Sequence, residues 1–261
     1  MSEFATSADG TRIAYDRFGS GPVLIFVDGA MQFRAFDPQT GELAVQLAER
    51  GLTTVRYDRR GRGESAFEGP SSLDQEVADL AALIETVGGP AALYGSSSGG
   101  AIALAAAAAG LPVSRLALWE VPLDAELGDE GPEFLAGLRD QIASGDTEAS
   151  LLYFMKDMPA EWVEGSRNSP AWEVMKALTP SLVPDSEALA WTQAAPRKEL
   201  FAPVTMPVLV MLGKQTLPLF PPAAESIANA VADGRTMKVA GANHQWDLDA
   251  MSSTLADFLR E

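Results

Sequence analysis

The sequence predicts an α/β fold in which a mostly parallel central sheet is covered by helices on both faces. Short apolar runs typical of buried strands alternate along the chain with segments whose apolar residues recur at helical spacing. The chain has 261 residues, 47% of them hydrophobic, which is enough to bury one substantial core. We therefore expect one α/β core.

The amino-terminal elements begin with a predicted hairpin. Residues Phe4–Thr6 and Arg12–Arg17 flank an Asp-Gly pair, a sequence that favours a tight turn between antiparallel strands. The apolar run Val23–Val27 predicts the next strand, and the run Thr53–Tyr57 another. These strands form the beginning of the predicted sheet.

A helix with a defined start follows. Ser72 and Gln75 stand three residues apart, the spacing of a capping box, in which each residue bonds the backbone of the other. The residues that mark its buried face are Val77, Leu80, Ile84 and Val87.

The segment Gly95–Gly99 reads G-S-S-S-G and predicts a strand, a sharp turn and a helix. The apolar run Ala91–Tyr94 precedes it, and an alanine-rich helix is predicted at Gly100–Ala109. Glycines two residues on either side of Ser97 remove the β-carbons that would clash in such a turn, which leaves the hydroxyl exposed near a helix N-terminus. The pattern favours Ser97 as a nucleophile, and the alternative is a loop that only turns the chain.

The chain contains one histidine, His244. A serine hydroxyl is a weak nucleophile that needs a general base, and His244 is the candidate. It follows the run Thr236–Val239, interpreted as the last edge strand. A single histidine is usually structural, but a serine and a later histidine that each follow a strand favour a catalytic pair. The predicted C-terminal helix carries Leu248, Met251, Leu255, Phe258 and Leu259 at helical spacing.

Several segments, in order, resemble the α/β-hydrolase fold family, and the resemblance covers essentially the whole chain. Val23–Val27 with Asp28–Ala30 is similar to the family's first parallel strand and its His-Gly oxyanion turn. Arg56–Ser65 resembles its D-x-R-G-x-G-x-S loop. The later matches are the nucleophile elbow around Ser97, the strands Leu116–Trp119 and Val208–Leu212, and the loop of His244. The resemblance implies the fold and says little about the substrate, because one fold hosts many chemistries.

Residues 121–203 differ from the rest of the chain in their predicted secondary structure. Strand-like runs stop after Trp119, and helix-like stretches interrupted by prolines continue. Such a stretch is too long for a bare loop, so we predict a helical cap inserted into a core formed by residues 1–120 and 204–261. The apolar residues expected to hold the cap together and line an apolar pocket are Phe134, Leu135, Phe154, Met155, Met158, Trp162, Trp172, Met175 and Trp191.

The family uses a triad of serine, histidine and an acid, and the chain departs from the family pattern at the acid. In most relatives an aspartate follows the strand equivalent to Val208–Leu212, but here Gly213–Pro218 contains no carboxylate. The family has an alternative acid site after the preceding strand, where this chain has Glu120. The resemblance therefore implies Glu120 as the acid that orients His244. Asp124 is the main alternative, and a purely structural role for Glu120 is another.

Asp28 is a second departure, because the family usually has histidine before the glycine. The resemblance implies that the backbone N–H groups of Ala30 and Ser98 form the oxyanion hole, and a changed side chain need not remove such donors. An aspartate beside a developing negative charge is unfavourable unless it is paired or points away. We therefore interpret Asp28 as structural, with a contact to substrate or repulsion of acidic substrates as the alternative.

Composition excludes several other classes of function. The formal net charge is −17, from 36 acidic and 19 basic residues, which disfavours nucleic acid and anionic membranes as partners. One histidine and no cysteine disfavour a zinc site, and no Walker sequence is present. We expect no metal and no cofactor. The absence of cysteine and of a signal-like amino terminus favours a cytoplasmic location.

The pair and the resemblance together predict a serine hydrolase that acts on an uncharged ester or lactone through an acyl-enzyme. Its partner would be a small-molecule substrate, and the oligomeric state stays open. One alternative is a small-molecule receptor on a hydrolase fold with little turnover. Others are a cofactor-free perhydrolase, a lyase or an acyltransferase that uses the same pair.

Overall fold

The structure is a computed structural model that describes residues 2–261. Within these residues nine strands form one sheet in the order β1-β2-β4-β3-β5-β6-β7-β8-β9. Strands β4, β3, β5, β6, β7 and β8 pair in parallel, and β1, β2 and β9 pair antiparallel at the two sides. The strands are β1 (Glu3–Thr6), β2 (Arg12–Gly19), β3 (Val23–Val27), β4 (Thr53–Tyr57), β5 (Ala91–Ser96), β6 (Val113–Trp119), β7 (Val208–Gln215), β8 (Gly234–Ala242) and β9 (Gln245–Trp246).

Helices cover both faces of this sheet, which confirms the predicted fold class. Helices α1 and α11 pack on one face, and α2, α3 and α10 pack on the other. The helices are α1 (Pro38–Glu49), α2 (Leu73–Thr86), α3 (Ser98–Ala108), α4 (Glu130–Ala143), α5 (Thr147–Phe154), α6 (Ala160–Arg167), α7 (Trp172–Ala177), α8 (Val183–Trp191), α9 (Arg197–Leu200), α10 (Phe220–Ala230) and α11 (Leu248–Phe258), with a 3-10 helix at Thr179–Leu182.

Burial explains why the central strands read as continuous apolar runs. In β3, Leu24 and Phe26 enter the core on the side of α1 and α11, while Ile25 and Val27 enter the core on the other side. A parallel strand covered on both faces has no solvated side, so polar residues do not alternate with apolar ones. The carboxyl ends of these parallel strands meet at one edge of the sheet, where sites form in such folds.

Of three local predictions, the structure confirms two and contradicts one. The hairpin is confirmed by antiparallel pairing of β1 with β2. The capping box is confirmed, because the Ser72 hydroxyl accepts from the Gln75 N–H at 3.3 Å and the Gln75 side chain accepts from the Ser72 N–H at 3.1 Å. The prediction that Thr236–Val239 is the last edge strand is wrong. The chain turns back at His244, and β9 pairs outside β8.

Residues 121–203 contain α4 to α9 and, among the described residues, no strand. Their own apolar cluster includes Met31, which belongs to the turn after β3, so this segment packs over the carboxyl edge of the sheet. Trp191 differs from the other aromatic residues, because its ring packs at 5.6 Å on Phe201 against the main core. Nowhere in residues 2–261 does a helix combine the length and apolar character that a membrane crossing requires.

Candidate active site

Ser97 lies at the turn between β5 and α3 in a strained backbone conformation. Its φ of 53° and ψ of −131° are outside the regions that residues with a side chain ordinarily adopt. Its N–H donates to the Trp119 carbonyl oxygen at 2.9 Å, which ties the turn to the end of β6. Strain of this kind persists only where the surroundings fix the backbone, and it concentrates at functional sites.

The two flanking glycines are required by close approach of the backbone. A β-carbon at residue 95 would lie 2.5 Å from the Gly100 Cα, because β5 and α3 meet there. A β-carbon at residue 99 would lie 2.3 Å from the Val27 carbonyl oxygen. The G-x-S-x-G spacing is therefore what allows the strand, the turn and the helix to pack this closely.

The structure brings Glu120 and His244 together. The His244 Nδ1 and the Glu120 Oε2 are 2.7 Å apart, and the Glu120 side chain is only 1% exposed while that of His244 is 23% exposed. The other carboxylate oxygen accepts from the Gly213 N–H at 2.9 Å and from the Thr216 hydroxyl at 2.5 Å. Burial opposes ionisation of Glu120, but the hydrogen bonds from His244, Thr216 and Gly213 outweigh it and lower its pKa.

The end of β7 and the loop after it explain how the acid can stand after β6. Residues 213–218 have no carboxylate of their own, and Gly213, within β7, and Thr216, directly after it, instead donate to the carboxylate of Glu120. The alternative acid, Asp124, is not bonded to His244 among the described residues. Its backbone carbonyl accepts from Arg197. Glu120 is therefore the carboxylate that is hydrogen-bonded to the histidine here.

Aromatic side chains hold the imidazole of His244. The Phe220 ring is stacked on it with centroids 4.9 Å apart and planes 6° apart. The Trp162 ring, from α6, lies 6.2 Å away at 29°. The Trp119 indole N–H donates to the His244 carbonyl oxygen at 3.1 Å. Since the Trp119 carbonyl also accepts from Ser97, this one buried residue links the serine turn and the histidine turn.

The serine and the histidine are not bonded in this structure. Residues 2–261 contain no hydrogen bond between the Ser97 hydroxyl and His244. Both residues lie at the carboxyl edge of the sheet, and the Ser97 Cβ is 3.1 Å from where a β-carbon at residue 29 would stand. Hydrogen bonds between nucleophile and base commonly tighten only when substrate binds.

Of the two proposed oxyanion donors, Ser98 directly follows Ser97, and Ala30 belongs to the turn whose residue 29 lies close to the Ser97 Cβ. Ser98 begins α3, and Ala30 follows the Gly29 turn, which is held by a 2.8 Å bond from the Gly29 N–H to the Gln32 side chain. In residues 2–261 neither the Ala30 N–H nor the Ser98 N–H donates to another backbone group. A free N–H at a helix start, as at Ser98, and a free N–H in a turn, as at Ala30, both suit a developing negative charge.

Comparisons with known proteins agree with this fold. The model of the alpha/beta hydrolase family matches residues 24–258. The chain belongs to this family. A solved alpha/beta hydrolase from Sphaerobacter thermophilus DSM 20745 is 32% identical, with a TM-score of 0.84 over 98% of this chain and 99% of that one.

More distant members share the fold. An esterase from Thermogutta terrifontis is 20% identical, with a TM-score of 0.71 over 100% of this chain and 98% of that one. The enol-lactonase from Burkholderia xenovorans LB400 is 21% identical, with a TM-score of 0.65 over 99% and 100%. A non-heme haloperoxidase from Rhodococcus erythropolis is 36% identical over 87 residues, which are 33% of this chain and 30% of that protein.

Asp28 lies buried in this alpha/beta hydrolase and is poorly partnered. It is 2% exposed, its Oδ2 has no hydrogen-bond partner, and the nearest guanidinium, of Arg56, is 3.9 Å from that oxygen. Burial raises the pKa of Asp28 to about 7, against the opposing effect of Arg56. The carboxyl is therefore largely neutral below pH 7.

This burial predicts a pH-dependent effect of Asp28→Asn on stability. The stability that the neutral carboxyl contributes is fully present below its unfolded pKa near 3.8 and is lost as pH rises through about 7. The loss amounts to about 4 kcal/mol at most. Urea unfolding should show that the free energy of unfolding of the variant rises relative to that of wild type between pH 4 and pH 8. An equal loss of stability in the variant at both pH values would mean that Asp28 is an ionised partner of Arg56.

Sequence reasoning missed a buried charge network beside the site. Asp185, from α8, accepts from Arg59 at 2.7 Å, from Arg62 at 2.8 Å and from the Ser98 hydroxyl at 2.6 Å. Glu76 pairs with Arg59 at 3.1 Å, and the charged side chains of the network are fully buried. Burial opposes the charge on Asp185, but Arg59 and Arg62 lower its pKa. The only sequence signal was the arginine-rich loop in an acidic chain.

Proposed function

We propose that the protein is a serine hydrolase that cleaves an uncharged ester or lactone through an acyl-enzyme. The observation that carries the proposal is the 2.7 Å bond between His244 and the buried Glu120, at the sheet edge that also bears the strained turn of Ser97. A hydrogen-bonded acid and base at the same sheet edge as such a serine are the parts that acyl transfer requires. Membership in the alpha/beta hydrolase family supports the same reaction class.

The first half of the reaction is acylation. The Nε2 atom of His244 takes the Ser97 proton as the oxygen attacks the substrate carbonyl, while Nδ1–H donates to the Glu120 carboxylate. The lowered pKa of Glu120 keeps it ionised, so it stabilises the imidazolium that forms. The N–H groups of Ala30 and Ser98 hold the oxyanion. His244 then protonates the leaving alcohol.

The second half is hydrolysis of the acyl-enzyme. His244 takes a proton from water, the resulting hydroxide attacks the acyl carbonyl, and the same N–H groups hold the second oxyanion. Collapse of that intermediate returns the proton to Ser97 and releases the acid. No further group is needed for either half.

We also propose that residues 121–203 are a cap on a core made of residues 1–120 and 204–261. The apolar cluster of this segment includes Met31, one residue beyond the proposed donor Ala30, and Trp162 from the segment stacks near His244. These contacts favour a substrate whose groups beside the ester are apolar. A cavity of about 680 Å³ near α5 and α6 includes none of Ser97, Glu120 or His244 in its lining, so we do not assign it to the substrate.

A panel of esters tests the substrate class. We expect kcat/KM for a neutral butyrate ester to exceed that for a succinate monoester of the same alcohol by about tenfold or more, because burying a free carboxylate against an apolar cap costs more than burying a neutral chain end. The pair of substrates differs mainly in the terminal charge, which makes it a matched comparison. Equal or higher kcat/KM for the charged ester would contradict the proposal of an uncharged substrate.

The partial match to a non-heme haloperoxidase favours one second candidate. In cofactor-free perhydrolysis, hydrogen peroxide replaces water in the second half, attacks the acyl carbonyl and leaves as a peracid. The same Ser97, His244 and Glu120 would serve. Peracid formed from an ester and hydrogen peroxide by wild type, and not by Ser97→Ala, would support this reaction.

A further inference from the structure

A single buried carboxylate in the segment 121–203 is bonded to both sides of the proposed oxyanion hole. Asp185 accepts at Oδ1 from the Ser98 hydroxyl at 2.6 Å, and at Oδ2 from Arg62 at 2.8 Å. All three residues are at most 3% exposed. Neither Asp185 nor Arg62 has a place in the acylation chemistry, so the reaction itself does not account for their burial beside the site.

Arg62 reaches the turn that carries the first oxyanion donor. Its Nη1 donates to the Gly29 carbonyl oxygen at 2.6 Å and to the Gln32 carbonyl oxygen at 3.2 Å. The Gly29 carbonyl and the Ala30 N–H belong to one planar trans peptide, in which C=O and N–H point in opposite directions. A bond that fixes the direction of the Gly29 oxygen therefore fixes the direction of the Ala30 N–H.

Arg59 and Ser98 complete the connection. Arg59 pairs with Asp185 at 2.7 Å and donates to the Asp28 carbonyl oxygen at 3.2 Å, which holds the preceding peptide of the same turn. On the other side, the hydroxyl of Ser98 is held by Asp185, and the backbone of Ser98 supplies the second donor. The carboxylate thus joins both donors through one rigid, fully buried set of bonds.

We propose that Arg62 is a positioning residue that directs the Ala30 N–H toward the oxyanion, and that Asp185 fixes the positions of Arg62 and Ser98 relative to each other. The proposal rests on the proposed hydrolase function. Under this proposal the positions of the two donors depend on how residues 121–203 pack on the rest of the protein, because Asp185 belongs to α8 within that segment. A shift of α8 would then misdirect both donors at once.

Arg60 provides a matched control in the same loop. It is as buried as Arg62, pairs with Asp79 at 2.6 Å and with Asp9 at 2.6 Å, and makes none of its bonds to the turn at residues 28–32. Arg60→Lys and Arg62→Lys both keep the positive charge and lose the planar fork that bonds several oxygens at once. The two variants therefore differ in whether the lost bonds reach the oxyanion turn.

The experiment compares Arg62→Lys, Arg60→Lys and wild type in two measurements. Hydrolysis of p-nitrophenyl butyrate gives kcat and KM, and an NMR spectrum of protein with ¹⁵N-labelled alanine gives the Ala30 amide shift, assigned by its loss in Ala30→Gly. We expect Arg62→Lys to lower kcat by about ten- to a hundredfold with KM nearly unchanged, since the oxyanion forms only in the transition state. We also expect it to move the Ala30 resonance. Arg60→Lys should do neither.

The outcomes separate this proposal from the proposed function. Equal kcat and equal Ala30 shifts in the two lysine variants would overturn the positioning role. If wild type does not hydrolyse the ester, the proposed function fails, and the Ala30 shift alone still decides whether Arg62 orients that peptide. If Arg62→Lys does not fold, Ser98→Ala replaces it, because it removes only the hydroxyl bonded to Asp185. That variant should lose about fivefold in kcat, and an unchanged kcat would overturn the proposal.

Discussion

Replacement of Ser97 with alanine is expected to lower kcat for ester hydrolysis by about 10⁵ to 10⁶-fold. The proposed mechanism routes both half-reactions through the Ser97 oxygen, and no neighbouring hydroxyl occupies the same turn geometry. The loss should fall on kcat while the melting temperature stays near that of wild type. Alanine keeps the β-carbon of the strained turn, and the Ser97 N–H that bonds the Trp119 carbonyl is unchanged. Steady-state kinetics and thermal melting of both proteins provide the measurement.

Ser96→Ala is the matched control for this prediction. Ser96 belongs to the same G-S-S-S-G segment but ends β5, one residue before the turn. Its variant should keep kcat within about twofold of wild type. Loss of activity in Ser96→Ala but not in Ser97→Ala would show that the nucleophile has been assigned to the wrong serine.

The second large effect is expected for Glu120→Gln, with a loss of about 10⁴-fold in kcat. The glutamine keeps the size of the side chain and can still accept from Gly213 and Thr216. It no longer carries the charge that stabilises the imidazolium, and its amide N–H₂ favours the wrong tautomer of His244. The kinetics should be measured with the same ester as for Ser97→Ala.

Asp124→Asn tests the alternative acid under identical conditions. Asp124 makes its contact with Arg197 through the backbone carbonyl, which the substitution leaves in place. We expect near-normal turnover of this variant. Near-normal turnover of Glu120→Gln together with a large loss in Asp124→Asn would move the role of acid to Asp124.

The fold was readable from the sequence because its strands are buried on both faces. Such strands need continuous apolar residues, so β3 was predicted with the bounds that the structure has. The ends of the elements were harder to predict. Helix α3 begins at Ser98, two residues before the predicted start, since the helical backbone begins directly after the strained residue Ser97. The two-residue strand β9 has too few residues to produce a pattern.

The candidate site could be predicted from the sequence only in part, because its residues are far apart in the chain and come together only on folding. Ser97 carries a local pattern, and His244 is distinctive because the chain has one histidine. Glu120 lies 124 positions from His244, and nothing in its neighbours reveals that they meet. The family resemblance indicated it.

The same limit applies to the residues that the sequence left unassigned. Asp185 and Arg62 are 123 positions apart and belong to a helix and a loop that meet only after folding. The burial of Asp28 could not be predicted from the sequence either, since an aspartate at the end of a strand is more often solvated. Buried charges of this kind require partners that only tertiary structure supplies.

The most direct test of the proposed mechanism is the intact mass of the protein after exposure to a fluorophosphonate, which reacts with an activated serine far faster than with an ordinary hydroxyl. The mechanism predicts one adduct on wild type, none on Ser97→Ala and strongly slowed labelling of His244→Ala. An unlabelled wild-type protein that is folded would contradict the serine hydrolase proposal and favour a binding protein on the hydrolase fold.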